Sequence, residues 1–283
     1  MAFVFRFLSR QSLGLLHRIG WLCGWLVYGL SPTYRSRLQE NARLAGVKPS
    51  CVRASIAAAG QMVLELPRLW IGPEVPVQWD GAELIDAALK SHQGVIFLTP
   101  HLGSFEVTAR AYAQRFGVAQ APMTVLYRPA RQVWLRSIIE ASRRRPGLAT
   151  APANLAGVKQ LIKALRSGQA VGLLPDQVPP EGQGAWVPFF GKPAYTMTLA
   201  ARLAQQTGAR VVLAWGERLA GGEGFRVCVR PFEEALSADV VQATLQINRA
   251  MERVIHELPG QYLWGYARYK QPRQPEGAPE QKG

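Results

Sequence analysis

The chain has 283 residues, 48% apolar and 18% charged, with 33 Lys+Arg against 19 Asp+Glu and a formal net charge of +14. This composition excludes a disordered chain, which combines low hydrophobicity with high charge. It also excludes a collagen-like or low-complexity chain, because the 27 Gly and 20 Pro follow no period. A polytopic membrane protein is excluded as well, since only one segment approaches spanning length.

The basic excess is 26 Arg against 7 Lys. The guanidinium fork binds phosphate and carboxylate bidentately and is more weakly hydrated than an ammonium. With eight Trp, this suits a phosphate-bearing partner beside an apolar phase. A generically basic surface gives the same count. Cys23, Cys51 and Cys228 are widely spaced and odd in number, and no CxxC occurs. We expect a reducing compartment, no disulfide framework and no cysteine zinc site. The four histidines are scattered, so neither a metal nor another cofactor is expected.

Residues 1–30 form the first unit. Arg6 and Arg10 stand among Phe, Val and Leu, and a hydrophobic stretch follows over 13–30, interrupted by His17 and Arg18. Three readings compete: a spanning or interfacial anchor with Trp21, Trp25 and Tyr28 near the headgroups, a signal peptide, and a buried core helix. The anchor is preferred. Arg35, Arg37 and Arg43 follow, so basic residues flank both ends.

Residues 31–70 read as helical, starting at Ser31-Pro32 and stopping near Pro67, and 72–80 reads as a linker with Pro73 and Pro76. Apolar runs then predict strands over 94–99, 123–127, 170–174, 210–215 and 225–229. Helical patterns lie near 82–91, 104–116, 132–144, 154–167, 196–207 and 239–258. Alternation of this kind predicts an α/β fold with a mixed, largely parallel sheet flanked by helices. Residues 31–270 are then one catalytic-sized domain, and 271–283 (QPRQPEGAPEQKG) a disordered tail.

The strands end on polar residues. One runs into Pro100-His101, one into Arg128-Pro129, one into Pro175-Asp176-Gln177 and one into Glu217-Arg218. Open α/β sheets bind ligands beyond the carboxyl ends of their strands, so His101, Arg128 and Asp176 should gather at one edge. No GxSxG, GxGxxG or HExxH occurs, and Gly184–Lys192 resembles a P-loop only superficially.

His101-Leu-Gly-Ser-Phe-Glu106 is the candidate catalytic block. Ser104 can cap a helix carrying Glu106 in its first turn. A loop-to-helix junction lets that carboxylate reach back to the imidazole, fix its tautomer and stabilise the imidazolium, as a general base requires. A structural histidine satisfied by a neighbouring carboxylate fits this block equally well. An oxyanion would need donors from backbone N–H groups near Gly103 or from an arginine. Phe189-Phe190 could pack the core or contact a lipid chain, and Trp264, Tyr266 and Tyr269 are read as packing.

The HxxxxE block after an apolar strand resembles the glycerolipid acyltransferase superfamily. Tyr127-Arg128-Pro129, Pro175-Asp176-Gln177, Val187-Pro188-Phe189-Phe190-Gly191 and residues 261–270 (QYLWGYARYK) follow in the family's order. Together they resemble the lipid A late acyltransferases, over most of residues 10–270. The resemblance implies transfer of a fatty acyl chain from acyl carrier protein to a hydroxyl of an anionic lipid A precursor, without nucleic acid, at the cytoplasmic face of the inner membrane. It implies His101 as general base with Glu106 as acidic partner, and substrate contacts from Arg128, Asp176 and an arginine within Arg143–Arg145, with Arg143 and Arg145 both candidates. Val178 stands where many members carry an acid, so that block is less complete than usual. A lysophospholipid or aminolipid acceptor, and a non-enzymatic basic membrane- or RNA-binding protein, are the alternatives.

Overall fold

The computed structural model describes residues 2–127 and 145–274. Its centre is a seven-stranded sheet in the order β1-β9-β8-β2-β5-β3-β4. The strands are β1 (Val77–Asp80), β2 (Val95–Leu98), β3 (Met123–Tyr127), β4 (Leu148–Pro152), β5 (Ala170–Leu173), β8 (Arg210–Arg218) and β9 (Phe225–Pro231). From β8 to β4 all neighbours are parallel, while β9 is antiparallel to β8 and β1 parallel to β9. The expected α/β fold with a mixed, largely parallel sheet is therefore what forms.

The two-residue side-chain period of a strand sets the layers. In β2 all four residues are buried: Val95 and Phe97 pack in one apolar cluster, Ile96 and Leu98 in the other. Helices α5 (Ala82–Lys90) and α6 (Phe105–Tyr112) cover the first face, and α7 (Leu155–Arg166), α8 (Leu199–Thr207) and α9 (Val240–Glu257) cover the second. In α9, Ala243, Ile247, Ala250, Met251 and Val254 are buried at helical spacing, and each larger side chain contributes about 1.5–3 kcal/mol of burial. Asn154 and Asp239 cap α7 and α9 through their side chains.

Four helices precede the sheet: α1 (Ala2–Ser9), α2 (Leu13–Leu30), α3 (Pro32–Leu44) and α4 (Pro49–Ile71). Pro67 lies inside α4 rather than ending it. The carbonyl it deprives of a partner belongs to Val63, a residue on the exposed side of the helix. The expected linker holds β1, a four-residue edge strand too short to register as a pattern. Also missed were edge strand β4, poor in β-branched residues, and the hairpin of β6 (Gly184–Phe189) and β7 (Lys192–Met197). Its turn places Phe190 and Gly191 at φ of 47° and 76°, as a two-residue hairpin turn requires. The backbone N–H of Phe190 donates to Glu252 Oε1 at 2.7 Å.

Among the described residues α2 is the one helix long and apolar enough to cross a membrane. It does not stand alone. Leu13, Leu16, His17, Gly20 and Gly24 are buried, and a Cβ on Gly20 or Gly24 would collide with the α4 backbone, as one on Gly60 would with α2. The opposite face leaves Leu15, Trp21, Leu22, Leu26, Val27 and Leu30 exposed.

Candidate active site

Strand register builds the site. β2 and β5 are parallel neighbours with Leu98 opposite Leu173, and Thr99 N–H still donates to Leu173 O at 3.0 Å. Three residues beyond each strand stand His101 and Asp176. The His101 backbone N–H donates to Asp176 Oδ2 at 2.9 Å, and Nδ1 lies 2.7 Å from Oδ1. A carboxylate only accepts, so Nδ1 carries the proton and Nε2 presents its lone pair. That lone pair accepts from the Gln177 side-chain amide at 2.9 Å.

Asp176 is 1% exposed. Burial alone would raise its pKa, but its pairing with His101, through the ring and the backbone N–H, outweighs burial with help from Arg268 and holds the carboxyl below the usual aspartate value. Tyr262 also donates its hydroxyl to Oδ2, at 3.2 Å. Burial first, then Asp176, pushes the Tyr262 phenol well above its ordinary value, so it stays a donor.

The loop from His101 to Ser104 is pinned along its length. Leu102 N–H donates to Pro100 O, Gly103 N–H to Gln261 O, Ser104 N–H to Gly216 O, and His101 O accepts from Leu263 N–H. Gly103 has φ of 59°, and a Cβ there would strike the Gly216 carbonyl, so only glycine fits. The loop's N–H groups, expected as oxyanion donors, are thus already engaged within the protein. Ser104 makes no side-chain cap, and among the described residues its buried Oγ has no partner. The tight approach of the loop to Gly216 takes precedence over capping.

His101 sits at a cavity of about 840 Å³. The lining runs inward through Phe97, Tyr112, Met123 and Val229, all in the apolar layer between the sheet and α5/α6. Gln177, Phe105 and Glu106 share its wall, and the Phe105 ring lies 4.7 Å from the imidazole.

Glu106 therefore stands in the first turn of α6 on the cavity wall, as its position in the block predicts. The partner that fixes the imidazole is instead Asp176, 75 residues away in sequence. Nor does Asp176 line the cavity: its Oδ1 is taken by the His101 imidazole, and its Oδ2 by the His101 backbone N–H and the Tyr262 hydroxyl. Arg145 lines the cavity and donates from Nη2 to the Trp70 carbonyl at 2.8 Å, at the end of α4. Arg128, Arg143 and the helix expected at 132–144 lie outside the described residues, as does most of the expected tail. Phe189 and Trp264 are buried in the core, and the Tyr269 hydroxyl donates to Phe189 O.

Sequence reasoning missed the support behind the loop. Glu65 in α4 is fully buried and receives Arg218 Nε and Nη2 at 2.7 and 2.8 Å, with His17 Nε2 3.1 Å from the same carboxylate. Arg218 Nη2 reaches Gly103 O at 3.4 Å. The available signal was a lone carboxylate in an apolar helix, which needs a buried partner.

The family model for bacterial lipid A biosynthesis acyltransferases matches residues 15–271. The chain is 26% identical over 224 residues to the lipid A biosynthesis palmitoleoyltransferase of Escherichia coli (strain K12), covering 77% of this chain and 71% of that protein. It is 27% identical over 228 residues to the lauroyltransferase of the same organism, covering 78% and 72%. With the myristoyltransferase it shares 27% over 261 residues, covering 88% and 78%. The chain belongs to the bacterial lipid A biosynthesis acyltransferase family.

Proposed function

We propose that the protein moves a fatty acyl chain from acyl carrier protein to a hydroxyl of a lipid A precursor, at the cytoplasmic face of the inner membrane. The observation that carries this reading is an imidazole, held at Nδ1 by a buried carboxylate, at a largely apolar cavity.

His101 Nε2 takes the proton of the acceptor hydroxyl as its oxygen attacks the thioester carbonyl. The C–O bond forms, a tetrahedral intermediate collapses, and the C–S bond breaks. The imidazolium then returns its proton to the departing sulfur. Asp176 keeps the tautomer and stabilises the imidazolium. Glu106 adds a second carboxylate on the same wall as the family's acidic partner. No covalent acyl-enzyme is required, in keeping with the lack of a nucleophile elbow.

The acyl chain takes the apolar cavity, where its methylenes leave water at about 0.8 kcal/mol each. Both proposed substrates are anionic, which suits a chain of +14. Arg145 at the cavity, with Arg128 and Arg143, is the proposed contact for their anionic groups. Membrane attachment is supported by the exposed apolar face of α2 and by the first 39 residues, which contain Arg6, Arg10, Arg18, Arg35 and Arg37 and no acid.

The test is mass spectrometry of a Kdo-bearing tetra-acylated lipid A precursor incubated with acyl carrier proteins of several chain lengths. A gain of one acyl chain, lost in His101→Ala, is expected. Folded protein that acylates no lipid A precursor with any donor would overturn the assigned acceptor, and lysophospholipids and aminolipids would be tested next.

A further inference from the structure

The amide of Gln177 occupies the atom on which the proposed reaction depends. Its Nε2 lies 2.9 Å from His101 Nε2, so the hydroxyl that gives its proton to this nitrogen must take the amide's place. The displaced amide has nowhere distant to go. The backbone before it is fixed through Asp176, and the Val178 N–H after it donates to the Tyr266 hydroxyl at 3.0 Å. The Gln177 side chain is half-buried on the cavity wall, and among the described residues its one side-chain hydrogen bond is to His101. It is a hinged donor on a rigid base.

A second observation says where that donor is needed. The attacking oxygen and the thioester carbonyl oxygen share one carbon in the tetrahedral intermediate, so the oxyanion forms within a few ångströms of the hydroxyl. The backbone N–H groups of residues 101–104 are all engaged with protein acceptors. Gln177 is the uncharged donor already in contact with the reacting nitrogen.

We infer that Gln177 is a catalytic residue with two successive partners: it rests on His101 Nε2 in the free enzyme and, displaced by the acceptor hydroxyl, donates its N–H to the oxyanion of the tetrahedral intermediate. The inference rests on the acyl transfer proposed above. It also gives the resting enzyme a covered base, so the imidazole does not direct water at the thioester before an acceptor arrives.

The test compares wild type, Gln177→Leu and Gln177→Glu in steady-state acyl transfer, with His101→Ala as the reference for loss of the base. Gln177→Glu keeps the shape and removes the donor, so it stands in should Gln177→Leu fail to fold, and thermal melting identifies that case. Loss of one oxyanion donor typically lowers kcat about 10²–10³-fold. We expect a loss of that size in both variants, with KM within about threefold of wild type, because the contact forms only after substrate binds. Burst hydrolysis of the acyl donor without acceptor should rise in Gln177→Leu as the base is uncovered. If wild type transfers acyl chains and either folded variant keeps kcat within threefold, the inference fails and acyl transfer stands, with the donor assigned to the first amides of α6. If a KM rise accounts for the whole loss, Gln177 binds substrate and the inference fails. If wild type transfers nothing, both fall.

Discussion

Glu65 and Arg218 meet through two parallel hydrogen bonds, with side chains only 0% and 4% exposed. One partner comes from the middle of α4 and the other from the end of β8. Through Arg218 the pair touches Gly103 O, and Gln261 brackets the Arg218 backbone, its Oε1 accepting from the N–H and its Nε2 donating to the carbonyl. Through Glu65 it touches His17 of α2. A single buried carboxylate thus ties α2 to the loop that carries His101.

Removing that carboxylate strands a buried guanidinium. Glu65→Ala is expected to destabilise the protein by about 3–5 kcal/mol, the usual effect of leaving one member of a buried pair unmatched. Thermal or urea unfolding would measure it, and a change below 1 kcal/mol would mean that water reaches Arg218. Removing both partners as Glu65→Leu/Arg218→Met should recover much of the loss.

The same carboxylates set the acid limit. Burial would raise the Glu65 pKa, but Arg218 and then His17 lower it further than burial raises it, and Asp176 is held low by His101 against its own burial. A carboxyl with a depressed folded value binds fewer protons folded than unfolded. It stabilises the fold at pH above its ordinary value, 4.5 for Glu65 and 3.8 for Asp176, and loses that contribution as pH falls through the folded value. Unfolding free energy should therefore drop steadily below about pH 4.5, and Asp176→Asn should flatten the lower part of that slope.

Asp176→Asn should also lower kcat by about 10³–10⁴-fold, because an amide can hold the imidazole in the wrong tautomer. Glu106→Gln should cost less, since the tautomer does not depend on it. Side-by-side kinetics on one acceptor decide the matter. A larger loss in Glu106→Gln would return the tautomer-fixing part to Glu106.

Chain length should respond to the cavity. Gly172 lines it, and an added Cβ there comes within 3.3 Å of Met123 Sδ and 3.1 Å of Val125 Cγ1. Gly172→Val is expected to shift donor preference toward shorter acyl chains, by roughly tenfold for each pair of methylenes excluded. Competition between acyl carrier proteins of different chain lengths measures this. An unchanged preference would place the chain elsewhere.

How far the sequence led depended on range. β3 could be read to the residue because five apolar or β-branched positions between turn signals specify it locally, whereas β1 is a strand only because β9 lies beside it. At the site, both strand ends were legible, but the pairing of His101 with Asp176 was not. Five residues of separation made Glu106 the visible partner. The register of β2 on β5, which no local pattern encodes, brings Asp176 three residues past its strand to the same height as His101. Gln177 stood in plain view within a motif, yet its contact with Nε2 exists only once that register is set.

The crossing of α2 on α4 fixes a height. Gly20, Gly24 and Gly60 let the two backbones touch, so α2 has no slack to ride up or down against the rest of the molecule. If the outer face of α2 rests on a bilayer, as proposed, the elevation of His101 above the lipid surface becomes a constant of the fold, like the stylus of an instrument clamped to its table. A lipid acceptor would then be chosen by the level at which its hydroxyl sits as well as by its shape, and two hydroxyls of identical chemistry would be told apart by how far each must rise to meet the imidazole.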